Sequence, residues 1–193
     1  MGIVKNYTEN NCQIAIWDIT EELTDLLKLG ANFDTSKFET EKRKKEFLAS
    51  RLLLQEICSN ETITYNEFGA PTLNNGKFIS ISHSKELVAI IISEQQVGID
   101  IEQISEKPLR LSSKFVAEKN LNNLTKEKAT LIWCLKEAVF KWHQKGKVDF
   151  IKDIIIPEFS EKDKGQIKAH FKSQELILNY QKTNNHYLVY VCN

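Results

Sequence analysis

Two carboxylates at alternate positions of a short apolar segment are the first side chains in this sequence that could do chemistry. Residues 97–102 read VGIDIE. A strand there would place Asp100 and Glu102 on one face, about 6.6 Å apart. Two such carboxylates repel each other unless a cation lies between them, and Mg²⁺ is the natural candidate because it binds carboxylate and phosphate oxygens. Gly98, which has no side chain, would leave space beside them for a ligand. The same pattern also fits an amphipathic edge strand that presents its acids to water.

A second group of candidate residues recurs every four positions in residues 133–142, which read WCLKEAVFKW. This spacing predicts a helix that carries Trp133, Glu137 and Lys141 on one stripe. The simplest interpretation is a surface salt bridge between Glu137 and Lys141, which stabilises a helix by only about 0.3 kcal/mol. Trp133 and Phe140 make the segment unusually aromatic for a stripe that faces solvent.

Two further segments could hold an anion. Residues 80–84 read SISHS, which places hydroxyl groups, backbone N–H groups and the His83 imidazole at the end of a predicted strand. These are the donors of a phosphate site, whereas a serine triad is not supported because no GxSxG segment occurs. Residues 42–45 read KRKK and are followed on the same predicted helix by Arg51. They form either the rim of a phosphate pocket or a solvated helix face that pairs with interleaved glutamates.

The elements that must position these residues follow from the hydrophobic pattern. Helices are predicted over residues 39–58 and 125–143, and a short helix that Thr20 could cap is predicted after residue 19. Strands are predicted over residues 13–19, 62–65, 78–82, 87–93, 97–102, 151–156, 166–171, 175–180 and 187–192. Each half then carries one or two helices on a small antiparallel sheet, which is an α+β fold. We place the boundary between an N-terminal half, residues 1–96, and a C-terminal half, residues 97–193.

Composition excludes several other classes of protein. The 193 residues include 26 Lys and Arg against 26 Asp and Glu, so no overall field attracts nucleic acid or anionic lipid. The longest apolar run, residues 87–92, is far shorter than the roughly 20 residues of a membrane helix, and residues 1–6 lack a signal-peptide apolar stretch. The four cysteines are scattered and mostly lie in apolar stretches, which predicts reduced core residues of a cytoplasmic protein without disulfides: Cys12, Cys58, Cys134 and Cys192.

The order of these segments resembles the 4′-phosphopantetheinyl transferases, specifically the larger, surfactin-synthetase-activating type. The landmarks are ASR at 49–51, NEFGAP at 66–71, ISHS at 81–84, GIDIE at 98–102 and WCLKEAVFK at 133–141. The last two, with 37 positions from Asp100 to Glu137, are the most specific. The resemblance implies two similar α+β halves that form an intramolecular pseudo-dimer, with the active site in the cleft between them.

The resemblance also implies roles for individual residues. Asp100, Glu102 and Glu137 match metal-binding acids, and Glu137 also matches the proposed base. Lys141 matches a lysine that contacts the pyrophosphate of coenzyme A. The residues implied to bind coenzyme A are Lys42, Arg51, Ser82, His83 and Lys141. Two positions depart from the family pattern, because Ala70 stands where a lysine is common and Gln144 where a glycine is frequent.

The activity that the resemblance implies is a Mg²⁺-dependent transfer of phosphopantetheine from coenzyme A to a serine of an apo acyl or peptidyl carrier protein, with release of 3′,5′-ADP. The expected partners are coenzyme A and the carrier protein, without nucleic acid or membrane, and a monomer would suffice because both halves form the cleft. One alternative is a non-catalytic scaffold of the same fold that binds coenzyme A or carrier protein. Another is a Mg²⁺-dependent hydrolase that releases phosphopantetheine to water.

Overall fold

The computed structural model describes residues 3–193, and Met1 and Gly2, on which the N-terminal prediction partly rests, lie outside the described residues. The strands are β1 (Ile3–Glu9), β2 (Cys12–Asp18), β3 (Ile63–Tyr65), β4 (Pro71–Leu73), β5 (Phe78–Ser84), β6 (Leu87–Ser93), β7 (Val97–Gln103), β8 (Ile154–Ile155), β9 (Lys164–Phe171), β10 (Gln174–Thr183) and β11 (His186–Cys192). The α-helices are α1 (Leu23–Leu29), α2 (Glu41–Ile57), α3 (Glu106–Arg110) and α4 (Lys126–His143).

Strands β1 to β6 form one antiparallel sheet in the order β1-β2-β6-β5-β4-β3, and α2 packs on β2 and β6. The sequence of β6 is continuously apolar because both of its faces are buried. Val88, Ile90 and Ile92 belong to the core beneath α2, whereas Ala89 and Ile91 belong to the core that the two sheets share.

Strands β7 to β11 form a second antiparallel sheet in the order β7-β11-β10-β9-β8, and α4 packs on β7 and β11. Val97, Ile99 and Ile101 of β7 enter the core shared with the first sheet, and the intervening side chains face α4. The predicted alternation is therefore confirmed, as is the α+β class. The alternative of an edge strand that presents its acids to water is wrong for Asp100, which is 3% exposed.

The space predicted beside Gly98 is occupied by the protein itself. A Cβ on Gly98 would collide with the backbone carbonyl oxygen of Ala138 and would lie 2.6 Å from the backbone nitrogen of Trp142. Both atoms belong to α4, so the glycine allows the helix to approach β7 closely. The expectation that a ligand uses this space is wrong, and what the space admits is the helix that carries Glu137.

The prediction that all four cysteines are reduced is wrong for two of them. Cys12 begins β2 and Cys192 ends β11, and the structure joins them by a disulfide with Cα atoms 6.7 Å apart. The two sheets pack face to face, which brings residues 180 positions apart in the sequence within the distance that a disulfide spans. Cys58 and Cys134 are free, as predicted.

Element boundaries differ from the prediction where local signals compete. Thr20 does not cap α1, because the helix begins two residues later, with Glu22 at its N-cap. The first half of the strand predicted over residues 151–156 is a turn, since the Asp149 carboxylate accepts hydrogen bonds from the backbone N–H groups of Ile151 and Lys152, and the strand is reduced to Ile154–Ile155. Strand β1 was not predicted.

None of the helices in residues 3–193 is long and apolar enough to cross a membrane.

Candidate active site

The carboxylate of Asp100 on β7 is the most constrained group of the site. Its Oδ1 accepts hydrogen bonds from the Ser82 hydroxyl at 2.7 Å and from Lys141 Nζ at 2.7 Å. Its Oδ2 is buried and has no hydrogen-bond partner among residues 3–193. The buried Cys134 thiol lies nearby, and burial followed by the charges of Asp100 and Glu102 raises its pKa. A buried carboxylate oxygen without a donor is costly unless a cation reaches it.

The predicted stripe of α4 faces β7. The indole Nε1 of Trp133 donates to Glu102 Oε1 at 3.1 Å, and Lys141 forms an ion pair with Asp100. Glu137 lies between Trp133 and Lys141 on the same stripe. In the described part of the chain, the ion pair of Lys141 is with Asp100 and not with Glu137. The interpretation of a simple surface salt bridge is therefore wrong.

Burial and neighbouring carboxylates raise the pKa values of Glu102 and Glu137. Burial, followed by the charge of Asp100, raises the pKa of Glu102 to about 7. Burial, followed by Asp100, also raises the pKa of Glu137 to about 7, with a smaller contribution from Glu102. Lys141 acts in the opposite direction on both groups. Three carboxylates that share one ammonium group in a partly buried place have an excess of negative charge, which a divalent cation would balance.

These residues fit Mg²⁺ in their chemistry. The three side chains supply only carboxylate oxygens, which Mg²⁺ prefers, and Asp100 Oδ2 is free of other partners among the residues described. Within residues 3–193, no three His, Cys, Asp or Glu side chains are arranged so that they could hold a metal ion. The positive charge beside Asp100 is the Lys141 ammonium group.

A cavity of about 330 Å³ lies beside Lys141. Its wall combines residues of α2 and β5 with residues at the end of α4. The guanidinium group of Arg51 lies 4.1 Å from the centre of the Phe47 ring and donates to the Tyr65 hydroxyl at 2.5 Å. The side chains on this wall that can carry positive charge are Arg43, Arg51, His83 and Lys141.

A buried carboxylate, Glu46, holds two of these groups in place. Its side chain is 4% exposed and pairs with Arg43 Nη1 at 3.1 Å and with His83 Nδ1 at 3.4 Å. Arg43 Nη1 also lies 3.2 Å from His83 Nε2, which accepts a hydrogen bond when the imidazole is neutral. Burial lowers the pKa of His83, against the opposing effect of Glu46.

The predicted coenzyme A residues fall into two groups. Arg51, His83 and Lys141 line the cavity. Lys42 is exposed and reaches Glu46 Oε1 from outside at 3.7 Å, and the Ser82 hydroxyl is buried against Asp100. Neither belongs to the cavity wall among the described residues.

Sequence reasoning did not single out Arg43 and Glu46 as site residues. The run KRKK contains four cations in a row, and nothing within it distinguishes the one that faces inward. The available signal was the helical spacing of Arg43, Phe47 and Arg51, which recur every four residues and all line the cavity.

The two departures from the family pattern lie at this cavity. Ala70 and Gln144 both line it. Gln144 ends α4 with φ 58°, a left-handed conformation in which glycine is favoured. Its backbone carbonyl accepts a hydrogen bond from Asn66 Nδ2 at 3.1 Å, which ties the turn before β4 to the end of α4.

A second cavity, of about 520 Å³, lies beside Glu102. Glu102, Trp133 and Phe150 line it, together with Lys107 and Lys114. Lys141 thus borders the first cavity and Glu102 the second.

Comparison with known proteins identifies the family of this fold and site. The family model described as the 4′-phosphopantetheinyl transferase superfamily matches residues 96–192. The chain belongs to this superfamily. The matched residues include the three carboxylates and Lys141, whereas Arg43, Arg51 and His83 lie before the matched stretch.

A curated member of the superfamily gives a second match. The 4′-phosphopantetheinyl transferase gsp of Aneurinibacillus migulanus is 33% identical over 111 residues. This alignment covers 52% of the present chain and 47% of the relative, so the chain matches about half of the relative's length.

Proposed function

We propose that this chain transfers the 4′-phosphopantetheine group of coenzyme A to a serine of an apo acyl or peptidyl carrier protein and releases 3′,5′-ADP. The observation that carries this proposal is the meeting of β7 and α4. The charges of Asp100 and Glu102 on β7 act on Glu137 of α4, and Lys141 pairs with Asp100 and lines a cavity with two arginines on its wall. Membership of the superfamily supports the same reaction.

The cavity supports the binding of a polyanion. Arg43 and Arg51 would hold phosphate oxygens of the nucleotide end, since guanidinium groups bind phosphate in a fixed geometry. His83 would donate or accept a hydrogen bond there according to its protonation. Lys141, at the border between the cavity and the carboxylates, would contact the pyrophosphate.

Phosphoryl transfer requires mainly positioning and charge neutralisation. The serine oxygen forms a bond to the β-phosphorus of coenzyme A, and the bond between this phosphorus and the bridging oxygen of the pyrophosphate breaks. The electron pair leaves with 3′,5′-ADP. Glu137 would accept the serine proton, directly or through a water molecule, and Lys141 would neutralise oxygens of the transferred group.

Mg²⁺ dependence is part of the proposal. Asp100, Glu102 and Glu137 would hold the ion, which supplies positive charge to the pyrophosphate when bound. Lys141, which pairs with Asp100 and lines the cavity, would reach the phosphates of a bound substrate with its ammonium group.

Three further statements belong to the proposal. We propose residues 1–96 and 97–193 as the two halves, because β6 ends at Ser93 and β7 begins at Val97. A monomer would suffice, since one chain supplies both sides of the cavity. We also propose a cytoplasmic location, which the free thiols of Cys58 and Cys134 support.

The test is a mass measurement of the carrier protein. The chain is incubated with coenzyme A, Mg²⁺ and a panel of apo acyl and peptidyl carrier proteins, and each carrier is then weighed. We expect the added mass of one phosphopantetheine on at least one carrier, and none on the same carrier with its acceptor serine replaced by alanine. No added mass on any carrier, with coenzyme A nevertheless bound, would favour the non-catalytic scaffold. Free phosphopantetheine in the solution would favour the hydrolase.

A further inference from the structure

Three serines on one face of β5 bind the backbone of β7. The hydroxyl oxygens of Ser80, Ser82 and Ser84 accept hydrogen bonds from the backbone N–H groups of the facing strand, at distances of 3.1, 3.2 and 3.0 Å. The N–H groups belong to Ile99, Ile101 and Gln103. Since β7 is the edge strand of its sheet, these serines satisfy donors that would otherwise lack a partner strand.

Ser82 differs from the other two serines in what its hydroxyl proton does. It donates that proton to Asp100 Oδ1 at 2.7 Å while it accepts from Ile101 N. Its side chain is buried, and the cavity beside Lys141 is lined by Ser80 and His83 but not by Ser82. The hydroxyl proton of Ser82 is therefore already donated to Asp100 and does not face the cavity.

The two carboxylate oxygens of Asp100 have different surroundings. Ser82 and Lys141 both bind Oδ1, and Oδ2 is left buried without a hydrogen bond from residues 3–193. When Lys141 moves to the phosphates of a substrate, the Ser82 bond is the one that still fixes the orientation of the carboxylate. Partners of this kind orient a metal ligand and typically change the metal affinity 10- to 100-fold.

We infer that Ser82 is a positioning residue that fixes Asp100 so that Oδ2 points to the cation, and that it is not a ligand of the coenzyme A phosphates. This inference rests on the proposed function for the identity of the cation. It assigns to Ser82 a role that differs from the one implied by the family resemblance, and the two roles predict different measurements.

The experiment compares Ser82→Ala with Ser84→Ala, a matched control. Ser84 lies on the same face of β5 and accepts the same kind of bond from β7, but within residues 3–193 its hydroxyl group forms no hydrogen bond with a carboxylate. Two affinities are measured directly, without a carrier protein. The affinity for Mn²⁺, as a probe of the Mg²⁺ site, is followed by electron paramagnetic resonance in the presence of coenzyme A. The affinity for 3′,5′-ADP is followed by calorimetry without metal.

We expect Ser82→Ala to weaken Mn²⁺ binding by at least about tenfold and to leave 3′,5′-ADP binding unchanged, while Ser84→Ala changes neither. Ser82→Thr, which keeps a hydroxyl group, should restore Mn²⁺ binding. Ser82→Cys has nearly the same size but a weak donor, so it should weaken Mn²⁺ binding and it replaces the alanine variant if that variant does not fold. In transfer assays, kcat should fall and the KM for coenzyme A should stay.

Several results would overturn the inference. Ser82→Ala or Ser82→Cys with unchanged Mn²⁺ affinity would show that Ser82 does not position the metal ligand, and a loss of 3′,5′-ADP affinity in either variant would show that it binds the phosphates. An equal loss of Mn²⁺ affinity in Ser84→Ala would show that the effect is not specific to Ser82. A wild type that does not bind Mn²⁺ would remove the cation on which the inference depends. Failure of the proposed function is distinguishable, because it shows as a wild type that binds both Mn²⁺ and 3′,5′-ADP but modifies no carrier.

Discussion

Lys42 and Arg43 are neighbours on α2 with the same charge, but only Arg43 lines the cavity. Replacing each with methionine removes one positive charge at nearly the same place in the sequence. We expect Arg43→Met to weaken 3′,5′-ADP binding by roughly tenfold, because a hydrogen bond from a charged donor contributes about 1.5 kcal/mol or more. Lys42→Met should change the affinity little, since its side chain is 66% exposed and lies outside the wall. Calorimetry measures both, and a larger loss in Lys42→Met would show that Lys42 is the phosphate ligand.

Glu137 should limit stability while it supports activity. Because its pKa is raised to about 7 in the fold, the folded state binds the proton more tightly than the unfolded state does. Stability of the metal-free protein therefore falls as pH rises from the ordinary range of a glutamate, near 4.5, to about 7, and stays lower above it. Glu137→Gln removes this loss.

We expect Glu137→Gln to unfold at a higher temperature than the wild type at pH 8, and to lose at least about 100-fold of the transfer rate. Thermal unfolding at pH 5 and pH 8 checks the first effect, since the difference should shrink at pH 5. A variant that is less stable than the wild type at pH 8 would contradict the electrostatic description of the site, and near-normal transfer would remove Glu137 from the mechanism.

At the scale of the elements, Gly98 controls the distance between β7 and α4. In Gly98→Ala the new methyl group would press on the backbone of α4 at Ala138 and Trp142, which cannot rotate away as a side chain can. We expect a loss of about 3 kcal/mol in the free energy of unfolding, at the upper end of the usual cost of overpacking. Urea unfolding measures it. A loss below about 0.5 kcal/mol, the usual range of a surface substitution, would contradict the close packing of these two elements.

Local patterns in the sequence were sufficient to predict the elements that carry the site. The spacing of Asp100 and Glu102 predicted their common face on β7, and the four-residue spacing on α4 predicted that Trp133, Glu137 and Lys141 share a stripe. What these patterns could not show is which surfaces meet. The approach of α4 to β7 depends on a glycine whose space is filled by backbone, and the bond from Ser82 to Asp100 joins two sheets.

At the scale of the whole molecule, the disulfide between Cys12 and Cys192 connects the first sheet to the second. Sequence analysis could not predict it, because no local pattern indicates that two cysteines 180 positions apart lie close together. Contacts that follow from the packing of one sheet on the other, such as the Tyr190 hydroxyl donating to Glu9 Oε2 at 2.7 Å, were hidden for the same reason.

Because a disulfide constrains the unfolded chain, the oxidised protein should be more stable than the reduced one by about 2–4 kcal/mol. Denaturant unfolding with and without a thiol reductant measures this difference. Cys12→Ser should lose the dependence on reductant, and Cys58→Ser, which removes a free thiol, should keep it. Four reactive thiols in the denatured, air-oxidised wild type would contradict the disulfide.

The most direct test of the account is to locate a divalent cation in a crystal of the chain with Mn²⁺ and coenzyme A. Anomalous scattering identifies the position of manganese without reference to the fold. We predict a peak bounded by the carboxylates of Asp100, Glu102 and Glu137, close to the Ser82 hydroxyl that binds Asp100. Bound coenzyme A with manganese located away from these three side chains, or with Glu137 pointing away from Asp100, would contradict the account.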